Sequence, residues 1–141
     1  MAGGKCAYWE NACLNTALGG PQFTIPTTVY IGLSTAAFTA AATGAAMTEV
    51  STSSTAYARV AVTNNSTNWP NASAGSKSNA TIFTFPTATA TWGTVLSFYI
   101  LDSGTIGSGN CIYGADLTTS RTINTSDTAS FAAGSITVTE A

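Results

Sequence analysis

Three aspartates are the residues of this sequence best suited to acid–base chemistry, namely Asp102, Asp116 and Asp127. Glycoside hydrolysis needs two carboxyl groups that face each other about 5–9 Å apart across a cleft. Nothing in the spacing of the three shows such a pair, and Asp is also favoured in turns for its local geometry. We therefore expect all three at strand ends or turns, in structural positions.

Other common sites find little support in the composition. The chain has no His, which excludes Ser-His-Asp and Cys-His catalysis and histidine-ligated metal sites. Asp102, Ser103, Gly104 and Asn110 miss the spacing of an EF-hand calcium loop. The glycines of 104–109 lack the lysine and the following helix of a phosphate-binding loop. We predict no catalytic residue, no metal, no cofactor and no enzymatic activity.

Charged residues are scarce in this chain. Four Lys and Arg and six Asp and Glu give a formal net charge of -2, and only 7% of residues are charged, against about 25% in a typical domain. Four dispersed cations cannot neutralise the roughly six to ten phosphates of a nucleic-acid footprint. No stretch approaches the ~20 apolar residues of a membrane span. We expect neither nucleic acid nor membrane as a partner, and synthesis in a cytoplasm, because no apolar signal segment opens the chain.

The three cysteines, Cys6, Cys13 and Cys111, form no CxxC motif. In a helix, Cys6 and Cys13 would lie about 10 Å apart along the axis. That separation exceeds what a disulfide tolerates. We expect free, buried thiols.

The elements that position these residues divide into a helix and a set of strands. Residues 1–5 form a small arm, 6–18 predict a short helix, and the Gly-Gly-Pro at 19–21 predicts its end. Alternating apolar and polar residues predict strands at 27–34, 57–63, 79–85, 91–102, 110–117, 120–124, 128–131 and 135–139. Gly93 predicts a bend or bulge, and 64–76 a long loop with Trp69 at its tip.

About eight short strands with regular turn signals predict a jelly-roll-like antiparallel β-sandwich, all-β apart from the short N-terminal helix. We divide the chain into an N-terminal arm and helix, 1–20, and a sandwich, 21–141, which is one folding unit.

Three aromatic residues outside the predicted strands are candidates for a protein interface, namely Tyr8, Trp9 and Trp69. Tyrosine and tryptophan are enriched at interfaces, because they offer a large contact area at a small cost in side-chain entropy. The alternative for Tyr8 and Trp9 is that they close one end of the sandwich.

Arg59 and Arg121 are the only cations within predicted strands. One interpretation pairs them with an acidic residue on the solvent face, which contributes little stability. The candidate acidic partners are Glu49, Asp102, Asp116 and Asp127. The other interpretation is contact with a carboxylate of a neighbouring protein.

Several segments in order resemble one known family. They are TTVYIGLST, YARVAVT, FPTATATWGTV, SFYILDSG, GNCIYGADLTTSRTI and DTASFAAGSITVT. Together with the N-terminal helix they cover nearly the whole chain. The sequence is similar to a family of small tailed-phage structural proteins, which are often labelled tail-fibre proteins and look like capsid decoration, or cement, proteins.

The resemblance implies a jelly-roll subunit, dimeric and made in the host cytoplasm, that binds the outer capsid surface of the virion and bridges subunits of the phage major capsid protein. The first alternative is a tail-fibre or receptor-binding module, and the second is a carbohydrate-active β-sandwich enzyme. We also expect residues 1–9 to carry part of the contact with the shell, so that their deletion abolishes incorporation and leaves the sandwich folded.

Overall fold

The computed structural model describes residues 3–140. Within that range it contains one helix and nine strands. The elements are β1 (Gly3–Lys5), α1 (Ala7–Ala17), β2 (Thr28–Ser34), β3 (Val60–Thr63), β4 (Ser76–Ser78), β5 (Phe83–Thr84), β6 (Gly93–Leu101), β7 (Cys111–Ile123), β8 (Ser130–Phe131) and β9 (Thr137–Thr139). The predicted fold class, all-β with a short N-terminal helix, is confirmed.

The strands form one large antiparallel sheet and two small ones. The large sheet has the order β1-β7-β6-β2-β3, and β4-β9 and β5-β8 each form a two-stranded antiparallel sheet. Side chains of the small sheets, Phe83 among them, join those of the large sheet in one core. The architecture is therefore a β-sandwich, and its jelly-roll topology stays a prediction.

Both faces of the large sheet are covered. Val29, Ile31 and Leu33 point from β2 into the main core, as their period-two spacing predicts. On the opposite face, Tyr99 and Leu101 of β6 belong to a second buried cluster. This second cluster contains Cys6, Ala42, Met47, Tyr99, Leu101 and Cys111, with Phe38 packed against it. The loop after β2 thus covers the second face of the large sheet, which in many β-sandwiches is exposed to solvent.

The predicted helix forms and ends as expected. Gly19 adopts a positive φ of 84°, which favours glycine. The backbone N–H of Gly20 donates to the carbonyl oxygen of Asn15 at 2.7 Å, a bond that closes a helix C-terminus.

The predicted strand at 79–85 is mostly wrong, because only Phe83–Thr84 pair as a strand. At the start of this segment, hydrogen bonds of the buried Asn79 side chain take the place of backbone strand pairing. Its Nδ2 donates to the carbonyls of Thr81 and Ala132, and its Oδ1 accepts the backbone N–H of Ile136. Strand β4 was missed, since Ser76–Ser78 lies at the end of a segment rich in turn-forming residues.

The predicted strands at 110–117 and 120–124 are one strand, β7. The register jumps where the prediction placed a break, since Val95 pairs with Arg121 whereas Ser97 pairs with Asp116. Residues 117–120 therefore bulge from the ladder. Gly93, where the sequence predicts a bend or bulge, lies two residues before this shift in register and has a positive φ of 82°.

The expectation of free thiols is wrong for two of the three cysteines. Cys6 and Cys111 form a disulfide with a Cα–Cα distance of 5.7 Å, and Cys13 stays free and partly exposed. Strand β1 pairs with β7, and Cys6 N–H donates to the carbonyl oxygen of Ile112 at 2.9 Å. This tertiary pairing brings together two residues separated by 105 positions.

We predict that the double variant Cys6→Ala/Cys111→Ala loses about 2–5 kcal/mol of unfolding free energy, because a disulfide that closes so long a loop strongly restricts the unfolded chain. Chemical denaturation measures the loss. The control Cys13→Ala should stay within about 0.5 kcal/mol of the parent. A parent protein whose denaturation midpoint is unchanged by reductant would contradict the disulfide.

Candidate interaction surface

The candidate catalytic aspartates are engaged in local structure. The Oδ1 of Asp102 accepts the backbone N–H of Asn110 at 2.7 Å, and its Oδ2 accepts the side-chain amide of the same residue at 2.9 Å. Asp127 accepts the N–H of Asn124 at 2.8 Å, so both aspartates stabilise turns as predicted. Asp116 was misplaced: it lies inside β7, where it accepts the N–H of Phe38 at 2.7 Å.

Arg59 is buried, whereas both interpretations of the sequence placed it at the surface of the protein. Its side chain forms a bidentate pair with Glu49, with Nε and Nη2 each 2.8 Å from a carboxylate oxygen, and the residue is only 7% exposed. The partner was among those predicted, but the environment differs. The guanidinium also donates to the carbonyls of Ser103 and Ser108 at 2.6 and 2.9 Å. Arg59 thus ties the glycine-rich turn after β6 to the covered face of the sheet.

Tyr57 completes this buried network. Its hydroxyl donates to Glu49 at 2.8 Å and accepts the backbone N–H of Leu33 at 2.8 Å. Burial, together with the Glu49 charge, raises the pKa of the Tyr57 phenol far above its ordinary value. The phenol therefore stays protonated and remains a hydrogen-bond donor to Glu49.

Trp69 is also buried, although its loop position suggested an exposed tip. Its ring packs against Phe83 with centroids 5.4 Å apart, and its backbone N–H donates to the carbonyl oxygen of Asn65. The loop folds inward because Asn68 bonds to Thr63 and Thr81. The indole Nε1 of Trp69 is buried without a hydrogen-bond partner among the described residues.

Tyr8 and Trp9 lie where the helix meets the sheet. Trp9 Nε1 donates to the hydroxyl of Tyr113 on β7 at 2.8 Å, and the Trp9 ring lies 4.6 Å from that of Phe23. Tyr8 contacts Phe23 from the other side and stays exposed. Trp9 thus closes one side of the sandwich, as the alternative proposed, while Tyr8 remains available for contact.

A short polar chain anchors the N-terminal strand beside this aromatic cluster. Lys5 pairs with Glu140 at 2.5 Å, and Glu140 also accepts the hydroxyl of Tyr113. Partial burial opposes ionisation of Glu140, but the hydrogen bonds from Lys5 and Tyr113 outweigh it and lower the pKa of the carboxyl below its usual value. The first described residues are therefore held against β7 as a strand. Deleting residues 1–9 would remove β1, Cys6 and Trp9 together, while residues 1 and 2 of the predicted arm lie outside the described range.

Two leucines are exposed at the C-terminal end of α1, one within the helix and one at its C-cap. Leu14 is 59% exposed and Leu18 80% exposed, and none of the residues of α1 is fully buried. Leu18 caps the C-terminus of the helix, and its backbone N–H donates to the carbonyl oxygen of Leu14 at 2.9 Å. We call these two exposed side chains the leucine face.

An apolar groove of about 430 Å³ lies between the helix, the large sheet and the β4-β9 sheet. Its walls include Trp9, Phe23, Ile25, Trp69, Tyr113 and Val138. Ile25 stands at its edge and is 69% exposed. Two of the five predicted interface residues, Trp9 and Trp69, thus meet in one groove, which neither spacing nor composition indicated.

The remaining candidates lie elsewhere. Arg121 is exposed on β7, opposite Val95 in the register. Across residues 3–140 no group of His, Cys, Asp or Glu is arranged to hold a metal ion. In the same range, no helix combines the length and apolar character needed to cross a membrane.

We predict that Arg59→Met and Glu49→Leu each lower the unfolding free energy by about 3–5 kcal/mol, because each leaves one buried charge uncompensated. The double variant should lose less than the sum of the two, as a double-mutant cycle by chemical denaturation would show. The control Arg121→Met should change stability by less than about 0.5 kcal/mol. Additive losses would contradict the coupling.

Comparison with known proteins places the chain in a family. The family model of the podophage GP4 fiber I protein gp80 matches residues 4–139, almost the entire chain. A search of curated proteins finds no match. The match agrees with the resemblance to tailed-phage structural proteins. The chain belongs to the podophage GP4 fiber I protein gp80 family and is a bacteriophage structural protein.

Proposed function

We propose that this structural protein is a capsid decoration subunit, which binds the outer surface of the capsid as a homodimer and bridges major capsid subunits. The leucine face is the observation that carries the contact mechanism. Leu14 and Leu18 leave apolar surface in water although the core is complete without them. Burying one such side chain at an interface contributes about 1.5–3 kcal/mol.

Modest contacts suffice for this role if the subunit touches two neighbours at once. The second contact then forms at a high effective concentration, so that the overall affinity exceeds that of either contact. A subunit that binds the assembled lattice and not free capsid protein stabilises the assembly by mass action. In a dimer on a two-fold axis, the same patch is used twice.

A role in contact and not in catalysis is supported by the use of the acidic groups. Glu49 is neutralised by Arg59, and Glu140 binds Lys5 and Tyr113. Asp102 and Asp127 each accept hydrogen bonds within a turn. Each of these carboxylates already stabilises its own chain, and an acid–base pair would need two that are available to a substrate.

The second candidate is a fibre subunit of the phage tail, which fits the family description no less well. The capsid position is supported by the resemblance of the sequence to the capsid cement protein of a Bordetella phage. Both candidates use the same fold and the same exposed apolar residues, so their location in the particle distinguishes them.

The copy number in purified virions tests the location. A decoration subunit should be present in numbers comparable with those of the major capsid protein, as measured by quantitative mass spectrometry of purified particles. A small fraction of that number, together with localisation at the tail by electron microscopy, would favour the fibre. Absence from purified virions would refute both.

We predict that Leu14→Ser/Leu18→Ser lowers occupancy on the virion by about tenfold or more. Both leucines would become buried in the contact with the virion, so their loss removes several kcal/mol of contact energy. The stability of the isolated protein should change by less than about 0.5 kcal/mol, since both side chains are exposed. Ile106→Ser, at another exposed apolar residue, serves as the matched control and should retain occupancy. Full occupancy of the leucine variant would exclude the leucine face as the contact.

A further inference from the structure

A second, smaller compartment lies next to the apolar groove. This compartment has a volume of about 230 Å³ and is lined by Gly4, Phe98, Gly114 and Thr137, among others. Tyr113 and Val138 line both compartments. The two compartments are therefore neighbours through Tyr113 of β7 and Val138 of β9.

The second compartment runs beside strand β9. All three residues of β9 line it, together with residues of β1, β6 and β7, but none of β4 does. Among the described residues β9 pairs only with β4. The compartment therefore lies along the other edge of β9, which no strand of residues 3–140 occupies.

The hydrogen bonds at the two ends of the β4-β9 ladder show which backbone groups this edge presents. Glu140 N–H donates to the carbonyl oxygen of Gly75 at 2.8 Å, and Asn79 N–H donates to that of Ile136 at 3.2 Å. Bonded and non-bonded pairs alternate along an antiparallel ladder. The pairs at the two ends are both hydrogen-bonded, and the central pair, Val138 with Lys77, lies two positions from each end. The central pair is therefore also hydrogen-bonded.

Thr137 and Thr139 flank Val138 and form the non-bonded pairs. Their backbone N–H and C=O groups consequently point away from β4, toward the second compartment. The hydroxyls of Thr137 and Ser78 bond to each other at 2.8 Å, as expected for the close side chains of a non-bonded pair. An extended segment laid beside β9 would find backbone donors and acceptors in register.

We propose that this groove binds an extended, uncharged peptide segment of another virion protein, which pairs with the free edge of β9 and inserts a large apolar side chain into the 430 Å³ compartment. This mode combines backbone hydrogen bonds with a side-chain pocket. The proposal rests on the proposed function, because it names the class of segment through which a neighbour in the particle is held.

The lining favours a peptide over a saccharide. Val29, Ile100 and Ile112 form the aliphatic floor of the large compartment, and a sugar there would leave many hydroxyls without partners. A peptide carries one N–H and one carbonyl per residue, which match the outward backbone groups of Thr137 and Thr139. Trp9 is held in place by Tyr113, so the wall is formed before binding.

Two pairs of variants test the proposal in the full-length protein. Thr137→Pro removes the outward N–H without breaking a β4-β9 bond, and Thr137→Val is its control because it keeps that N–H. Ile25→Asp places a charge at the edge of the groove, and Ile82→Asp is its control at a residue that is 60% exposed and lines neither compartment. Denaturation curves report whether each variant is folded.

The probe is a set of short overlapping peptides that cover the other structural proteins of the phage, titrated against the purified protein and followed by tryptophan fluorescence. We expect a peptide that binds the parent and both controls. Its affinity for Thr137→Pro and for Ile25→Asp should be lower than for the matched controls, by up to about tenfold. This is the loss expected for one backbone hydrogen bond or one unfavourable charge. If Thr137→Pro fails to fold, the comparison of peptide affinity between Ile25→Asp and its control Ile82→Asp tests the proposal alone.

The proposal is overturned if no peptide binds the parent, if both test variants bind as the parent does, or if only oligosaccharides of the host surface compete for the groove. Quantification of the parent protein in virions separates this result from the proposed function. A protein present in virions that binds no peptide retains its structural role without this groove, whereas a protein absent from virions loses the role itself.

Discussion

Burial of the large sheet on both faces is the constraint on which the rest of the structure depends. One face packs against an aromatic core, and the other is covered by the loop after β2. That loop is rich in alanine and threonine, so hydrophobic burial alone gives it little hold. The ion pair of Arg59 with Glu49, whose side chains are 0% and 6% exposed, supplies the missing attachment. A buried pair of this kind specifies one arrangement of the loops because any other leaves a charge unpaired.

This arrangement explains why the helix is peripheral. Because the loop already covers the second face, α1 is not needed to bury the sheet and contacts it mainly at β7, where Trp9 meets Tyr113. The disulfide between Cys6 and Cys111 holds the start of the helix at this edge. The leucine face is left to solvent, and it is the kind of apolar surface that a neighbouring protein covers in an assembly.

The few charged side chains of this protein have structural roles. Several of its few charged groups bind within the chain: Arg59 with Glu49, Lys5 with Glu140, and Asp102 within its turn. Exposed hydroxyl pairs, such as Thr87 with Thr128 and Thr94 with Thr122, lie on the surface instead. A neighbour can approach such a surface with little loss of charge hydration, which suits a protein that works by contact within a virion.

The sequence by itself determined the fold class, the helix with its glycine stop, the buried alternation of β2, and the membership of a phage structural family. Each of these depends on local periodicity, local turn chemistry or the order of segments. Only the tertiary structure decided that Arg59 and Trp69 lie inside, that Cys6 reaches Cys111, and that one edge of β9, unpaired within residues 3–140, lies beside an apolar groove. These features depend on how segments pack in three dimensions. The period-two pattern of β2 and β3 shows which residues alternate, but not that the connection between the two strands folds back over the second face of the sheet. The interaction surface belongs to this second kind, since its walls come from the helix, the large sheet and the C-terminal strand, and their proximity is set by packing and not by spacing along the chain.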